Sequence, residues 1–326
     1  MSATDSLRTT VRARFAQPQV RGWTMLIAAN CIFAGAYVAG KFALTSMTPV
    51  TLNTLRFLLA SAILLPIVLR NRRQLRMNRT DLITFIAVSL LSFVLNKYFE
   101  YEGVQLSTAS DSALLIAGEG ILTAALAWIV LRERATWLHG LALLLGCFGA
   151  YLIIERGLVP HFDSGRGNQR ILGDALFMIS LVFEAVASII SKRLAGRFSP
   201  LFVAAATVVG SMAVWIPAGA WDIAHHGLTL TPLSVGGVLY QSIFVTAIGY
   251  FFWFGGLQAV AGSAAAASLF IQPLIGTLLA VLLLREHLSI FTLLGGLCIV
   301  FSVWTISRLG RKPSAFTGAV PEIPSL

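Results

Sequence analysis

Apolar residues fill the chain in long blocks, separated by short clusters of Gly, Pro, Arg and acidic residues. Ten blocks stand out, at about 22–45, 50–70, 82–103, 108–131, 136–155, 171–194, 200–222, 232–257, 262–284 and 288–308. A helix rises ~1.5 Å per residue, so about 20 apolar residues cross a bilayer core, and each block is of that order. The gaps are too short to hold an extramembrane domain, and the longest, 156–170, is punctuated by Gly and Pro near the chain midpoint. The pattern predicts an all-α polytopic membrane protein with ten transmembrane helices.

Polar residues inside these blocks are few, so each one changes the picture. Glu119 lies about eleven residues into its block between Gly118 and Gly120, near the middle of a ~30 Å hydrocarbon slab. A charge at that depth is costly and faces a cavity or a partner. The functional reading is a carboxylate that binds a proton or a cation; the structural reading is an acid hydrogen-bonded to a neighbouring helix. The flanking glycines, which permit close backbone approach, serve both. Block 262–284 carries Gln272-Pro273 where the earlier block has Glu119-Gly120. Interrupted, polar-centred helices at matching points of two halves predict a binding site between them, with Gly118, Gly120 and Pro273 as the helix breaks.

Glu184 sits about thirteen residues into the sixth block, on a stripe of Phe177, Ser180, Glu184, Ala187 or Ser188, and Ser191 with helical spacing. It reads as a cavity wall, or else as a structural partner of Arg56 or Lys97. Lys97, Tyr98, Glu100, Tyr101 and Glu102 crowd the outer third of the third block, with Arg56 at similar depth in the second. Lys97 and Glu100, three apart, can pair on one helix face. This group is read as an outer gate, the alternative being charges that snorkel to the interface beside an aromatic belt. Tyr250 and Trp253, in the run 250–254, are read as an inner gate or as belt residues. Asn30, Tyr37 and Gln272 are candidate pocket lining.

Composition fits a lipid solvent. The chain is 57% hydrophobic and 12% charged with mean hydropathy +0.81, where soluble domains carry roughly 25% charge. The net charge of +10 would point to nucleic acid if it formed a patch, but the basic residues occupy short gaps instead. Counted at alternate ends of the blocks, 17 Lys and Arg lie on the side of the N-terminus and 4 on the other. The positive-inside rule then places both termini, 1–21 and 309–326, in the cytoplasm. Cys31, Cys147 and Cys298 lie inside apolar blocks without disulfide or metal spacing, and His225-His226 falls in an outer loop. With no nucleotide-binding loop and no Ser/His/Asp arrangement, no cofactor, metal or nucleic-acid partner is expected.

An internal repeat organises the whole. Gly22 and Gly173, Lys41 and Lys192, Pro49 and Pro200, and Pro66 and Pro217 are each 151 apart. Gly103 and Gly256, Gln105 and Gln258, and the Leu-Arg-Glu triplets ending at Glu133 and Glu286 are 153 apart. The halves are 22–155 and 171–308, joined by the extracytoplasmic linker 156–170. Each holds five helices, an odd number, so the second enters the membrane from the other side and the repeats are inverted.

The spaced series of Lys41, Pro49, Arg56-Phe57 and Gln272-Pro273, with Arg132-Glu133 and Arg285-Glu286 each leading into a Gly-rich helix (Gly140, Gly146, Gly149; Gly295, Gly296), resembles the EamA type of the drug/metabolite transporter superfamily. The resemblance covers roughly 22–308, with one departure: the family usually has a proline in the fourth helix, where this chain has Gly118-Glu119-Gly120. It implies a secondary transporter that exports small metabolites or drug-like compounds by alternating access through a central pocket, amino acids or related amphipathic molecules being favoured. Glu119 and Glu184 make a coupling proton a candidate. The competing class is an intramembrane enzyme acting on a lipid or small amphiphile.

Overall fold

The computed structural model describes residues 18–119, 121–122, 125–126, 137–157, 166–191, 193–194, 197–257, 268 and 271–309. Gly120, Arg132, Glu133, Lys192 and most of both tails lie outside the described residues.

The first crossing is α1 (Pro18–Ala34) and α2 (Ala36–Ala43), joined at a bend. Then come α3 (Pro49–Arg70) and α4, which runs from Arg79–Val88 through a π-helical segment, Ser89–Leu95, to Asn96–Leu106. The short α5 (Ala109–Leu115) and α6 (Trp137–Glu155) complete the first half. The second half holds α7 (Arg166–Ser191) and α8 (Pro200–His226). Next, α9 passes from Pro232–Leu239 through a second π segment, Tyr240–Gly249, to Tyr250–Leu257. Last come α10 (Ile271–Leu284) and α11 (Ile290–Leu309). Among the described residues six helices are long and apolar enough to cross a membrane, and the apolar stretches Gly140–Glu155, Ile271–Leu284 and Ile290–Ser302 are shorter. Leu144, Leu274 and Leu297 are about two-thirds exposed. Such an apolar outer surface belongs in lipid, where each backbone polar group must be met within its own helix.

Packing follows the inverted repeat. The most extensive contacts join α6 with α11, α4 with α7, α3 with α8, α5 with α10 and α1 with α9. Under the 151–153 register the first and third pairs map onto themselves, and α4–α7 maps onto α9–α1. Small residues mark the crossings, as expected where lipid gives helices no hydrophobic reason to associate. A Cβ on Gly103 would lie 2.7 Å from the Gly173 carbonyl and 2.8 Å from the Phe177 amide. At the equivalent point a Cβ on Gly256 would meet Leu26 at 2.7 Å and the Gly22 carbonyl at 3.0 Å. In α6–α11, Gly149 and Gly295 stand against each other's carbonyls, and the Ser302 hydroxyl donates to the Ala142 carbonyl at the symmetric position.

Pro49 and Pro200 sit in the first turns, after Thr48 and Ser199, where they open α3 and α8. Elsewhere the helix ends differ from the pattern in three places. Helix α7 starts at Arg166, ahead of its apolar block, and brings Arg170 into the helix. His225 and His226 form the last turn of α8, not a loop, with the His226 ring against Asp222 at 2.9 Å. The fourth crossing breaks at Ile116–Ala117, where Ala117 and Glu119 donate to carbonyls three residues back, two residues before the glycine expected to break it. Pro273 lies in the first turn of α10 as described.

We call the side bearing the 71–78 and 193–199 connections, with Arg70, Arg72, Arg73, Arg76, Arg193 and Arg197, the basic face. Asp81 draws Arg197 (2.6 Å) and Arg193 (3.8 Å) together there. A Gly103→Ala substitution is expected to destabilise the protein by about 1–3 kcal/mol, because its neighbours are backbone atoms that cannot retreat. Gly140→Ala, with nothing within 4 Å of the added carbon, should be neutral; thermal unfolding in detergent measures both.

Candidate functional site

The site is assembled from mid-helix positions that the crossings bring together. The π segment of α4 turns its carboxy-terminal half so that Asn96, Lys97, Glu100 and Tyr101 face inward. A π segment leaves carbonyls without their usual partner, and here other helices supply donors. The Trp215 indole of α8 donates to the Phe93 carbonyl at 2.8 Å. In the second π segment the Thr246 hydroxyl donates to the Gln241 carbonyl at 2.8 Å and accepts from Arg56 Nε at 2.9 Å.

Arg56, 2% exposed, also donates from Nη1 to the Tyr101 hydroxyl at 3.0 Å, and its guanidinium lies 5.1 Å from the Phe57 ring centroid and 5.6 Å from that of Tyr101. A buried cation is tolerable when donors are used and ring faces supply negative potential. Lys97 forms an ion pair with Glu100 on one turn of α4, as the spacing predicts. Glu184 bonds Ser92 and lies within electrostatic reach of Lys97 and Glu100. Glu119 lies within reach of Glu184, Lys97 and Glu100. Tyr37 lies within electrostatic reach of Glu119, Glu100 and Arg56, and Tyr250 of Lys97 and Glu184.

Thus residues expected at an outer gate (Arg56, Lys97, Glu100, Tyr101), at the pathway (Tyr37, Glu119, Glu184) and at an inner gate (Tyr250) share one interior cluster. It holds three carboxylates, of Glu100, Glu119 and Glu184, and two cations, Arg56 and Lys97. With all ionised, one negative charge is in excess. Glu119, Glu184, Lys97 and Tyr250 lie deep among the helices yet keep part of their surface open, so they border a space rather than fill a core.

Other expected residues fall elsewhere. Tyr98 points outward, more than a third exposed, against Phe99. Trp253 packs on Phe33 at 6.4 Å, beside the Phe33–Tyr250 contact at 5.7 Å. Asn30 and Gln272 do meet: Gln272 Nε2 donates to Asn30 Oδ1 at 2.7 Å, and Asn30 Nδ2 donates to Ser268 at 2.9 Å and to the Leu26 carbonyl at 2.7 Å. They tie the first crossing to the ninth. The bend at Gly35 had no proline to announce it. There the Tyr240 hydroxyl donates to the Ile32 carbonyl at 2.9 Å, and a Cβ on Gly35 would lie 2.4 Å from that hydroxyl.

The space has a sealed side. Along α7, Phe177 and Ser180 are buried, with Phe177 edge-on to Tyr37 at 5.6 Å, whereas Glu184, Ser188 and Ser191 are partly open. Tyr37, Tyr101 and Phe177 therefore form a layer that closes the cluster from the face opposite the basic one. Among the described residues no group of three or more His, Cys, Asp or Glu is arranged to hold a metal ion.

Lys97→Met should cost roughly 3–5 kcal/mol by leaving a buried carboxylate uncompensated. Adding Glu100→Gln should recover most of that loss, and a double-mutant cycle in thermal or denaturant unfolding reads the coupling.

Comparison with known proteins gives the same architecture. The profile described as "EamA-like transporter family" matches residues 20–155 and again 171–308. An "Uncharacterized transporter" of Archaeoglobus fulgidus is 24% identical, covering 84% of this chain and 92% of its own length. The "Uncharacterized transporter YetK" of Bacillus subtilis is 22% identical, covering 92% and 91%. An "S-adenosylmethionine/S-adenosylhomocysteine transporter" of Chlamydia muridarum is 26% identical over 61% of each chain. A solved crystal structure superimposes with a TM-score of 0.61 at 18% identity, covering 90% of this chain and 98% of its own, which shows a shared fold.

Proposed function

The chain belongs to the EamA-like transporter family, and on that premise we propose that it is a secondary transporter moving small, positively charged or zwitterionic metabolites through the interior cluster. The observation that carries this reading is the excess negative charge of Glu100, Glu119 and Glu184 over Arg56 and Lys97 where the two repeats meet, with Glu119, Glu184 and Lys97 at partly open positions. An excess carboxylate in a low-dielectric interior attracts a cationic group or a proton. Tyr37 and Tyr250 add aromatic surface for an ammonium or sulfonium group. The name of the Chlamydia muridarum relative supports a small-metabolite substrate, and amino acids or related amphipathic molecules fit an acid-rich site that also holds Arg56.

Transport is by alternating access; burial of the Tyr37–Tyr101–Phe177 layer and the partial exposure of Glu184, Ser188 and Ser191 support access from the basic face. The excess of Lys and Arg on that face supports a cytoplasmic orientation for it and both termini, in the cell membrane. With access from the cytoplasm, export is the favoured direction. Proton coupling uses Glu119 and Glu184 as carboxylates that a proton and a substrate cation occupy in turn.

Counterflow of a labelled amino-acid or organic-cation panel in proteoliposomes tests the reading. Glu119→Gln and Glu184→Gln should each reduce counterflow at least about tenfold and flatten its pH dependence. Unchanged counterflow and pH dependence in both variants would overturn the carboxylate mechanism. Turnover of a lipid or amphiphile without any counterflow would favour an enzyme instead. Single cysteines replacing Ala135 and His287 should react with impermeant thiol reagents from opposite sides of the membrane; reaction from one side would sink the proposed topology.

A further inference from the structure

Beyond the sealing layer, on the face opposite the basic one, lies a second charged cluster that plays no part in the site. Arg170 Nη1 donates to Asp174 Oδ2 at 2.8 Å and to Asp111 Oδ2 at 3.4 Å, and Arg156 Nη2 donates to the same Asp111 oxygen at 2.8 Å. Arg170 also donates to the carbonyls of Ile153 and Ile154 at the end of α6. The Ser107 hydroxyl donates to Asp174, and Lys41 Nζ to the Gln105 and Ser107 carbonyls, within electrostatic reach of Glu286, Asp111 and Asp174. The Glu286 carboxylate accepts the Ala109 and Ser110 amides, both at 2.9 Å, and the Ser110 hydroxyl at 2.6 Å. Asp111 and Asp174 are fully buried.

Three features separate this cluster from a fixed strut. It joins α2, α4, α5 and the end of α6 in the first repeat to α7 and Glu286 of the second, so the halves cannot part on this face without breaking it. Its charges balance, Asp111, Asp174 and Glu286 against Lys41, Arg156 and Arg170, so no external ion is needed. And it is incompletely satisfied: Asp111 Oδ1 and Arg156 Nε are buried without partners. A partly satisfied ionic network holds less firmly than a complete one.

The inverted half does not repeat its buried acids in sequence. In the register that pairs Gly22 with Gly173, Asp174 corresponds to Trp23. In the register that pairs Gly103 with Gly256, Asp111 corresponds to Ala264. The counterparts of Lys41 and Glu286 are Lys192 and Glu133, which lie outside the described residues.

We propose that the cluster of Lys41, Asp111, Arg156, Arg170, Asp174 and Glu286 is a one-sided latch, which keeps the pathway shut on the face opposite the basic one and sets the resting conformation of the protein. Breaking buried ion pairs is the cost of opening this face; on the basic face Asp81 pairs with Arg193 and Arg197, whose side chains are 40% and 48% exposed, so the matching cost there is smaller. The latch rests on the alternating-access reading above, to which it adds a cause for the asymmetry between two otherwise equivalent states.

The test reads accessibility in the full-length protein in proteoliposomes. With Cys31→Ala, Cys147→Ala and Cys298→Ala, a Ser180→Cys reporter lies just on the site side of the seal. An impermeant thiol reagent applied at the face opposite the basic one should modify it at least about tenfold faster after Asp174→Asn than in the parent. Lys41→Met, which removes a partly exposed member, gives the same readout where Asp174→Asn does not fold. Unchanged rates in the variants that fold would overturn the latch. Counterflow in the parent separates the two claims: counterflow without a labelling shift defeats the latch alone, and faster labelling without counterflow in the parent defeats the transport reading while the latch stands.

Discussion

A carboxylate survives inside an apolar bundle only when counter-charge, hydrogen bonds or water meet it, and much of this structure answers that condition. Glu100 has Lys97; Glu184 has Ser92 and a share of Lys97; among the described residues Glu119 has neither a hydroxyl nor a cation of its own. Arg56, held by Thr246, Tyr101 and two aromatic rings, and Lys97 together still leave one of the three carboxylates unmatched. The unmet charge lies where both repeats converge and where Glu119 and Glu184 keep some surface open. A site built this way lacks one positive charge, which under the proposed function a transported cation or proton supplies.

The backbone accommodates this site by departing from regular α-helix at matching points. The π segments at Ser89–Leu95 and Tyr240–Gly249 correspond under the repeat, and each exposes a carbonyl that a side chain engages: the Trp215 indole donates to Phe93, and the Thr246 hydroxyl, which accepts from Arg56, donates to Gln241. The bend at Gly35 has no such counterpart, because α7 runs unbroken from Arg166 to Ser191. Near-symmetry in the crossings, with asymmetry in the first helix and in the ionic cluster, gives two related arrangements that need not be equal in energy.

The architecture was legible in the sequence because its causes are local. Apolar block length marks the crossings, scarce residues expose the repeat, and Gly22, Gly103, Gly173 and Gly256 proved to be the contact points of α1–α9 and α4–α7. The Lys97–Glu100 pair followed from helical spacing. What the sequence hid depends on rotation and tilt. Depth along a helix was readable, but the gathering of Lys97 and Tyr250 in one cluster, and the turning of Tyr98 away from it, required knowing how α4 and α9 face one another. The Asp111–Arg170–Asp174 network was missed because its members flank the apolar blocks, and only the helical start at Arg166 brings Arg170 beneath Asp111. The Gly35 bend depends on a tyrosine 205 positions away in the chain.

The central claim is that Glu119 and Glu184 together answer an arriving positive charge, and infrared difference spectroscopy of the purified protein with and without a transported cation tests it most directly. Binding should change the carboxyl stretching signals, with loss of that change in Glu119→Gln or Glu184→Gln. A transported cation that binds while every carboxyl signal stays constant would contradict it.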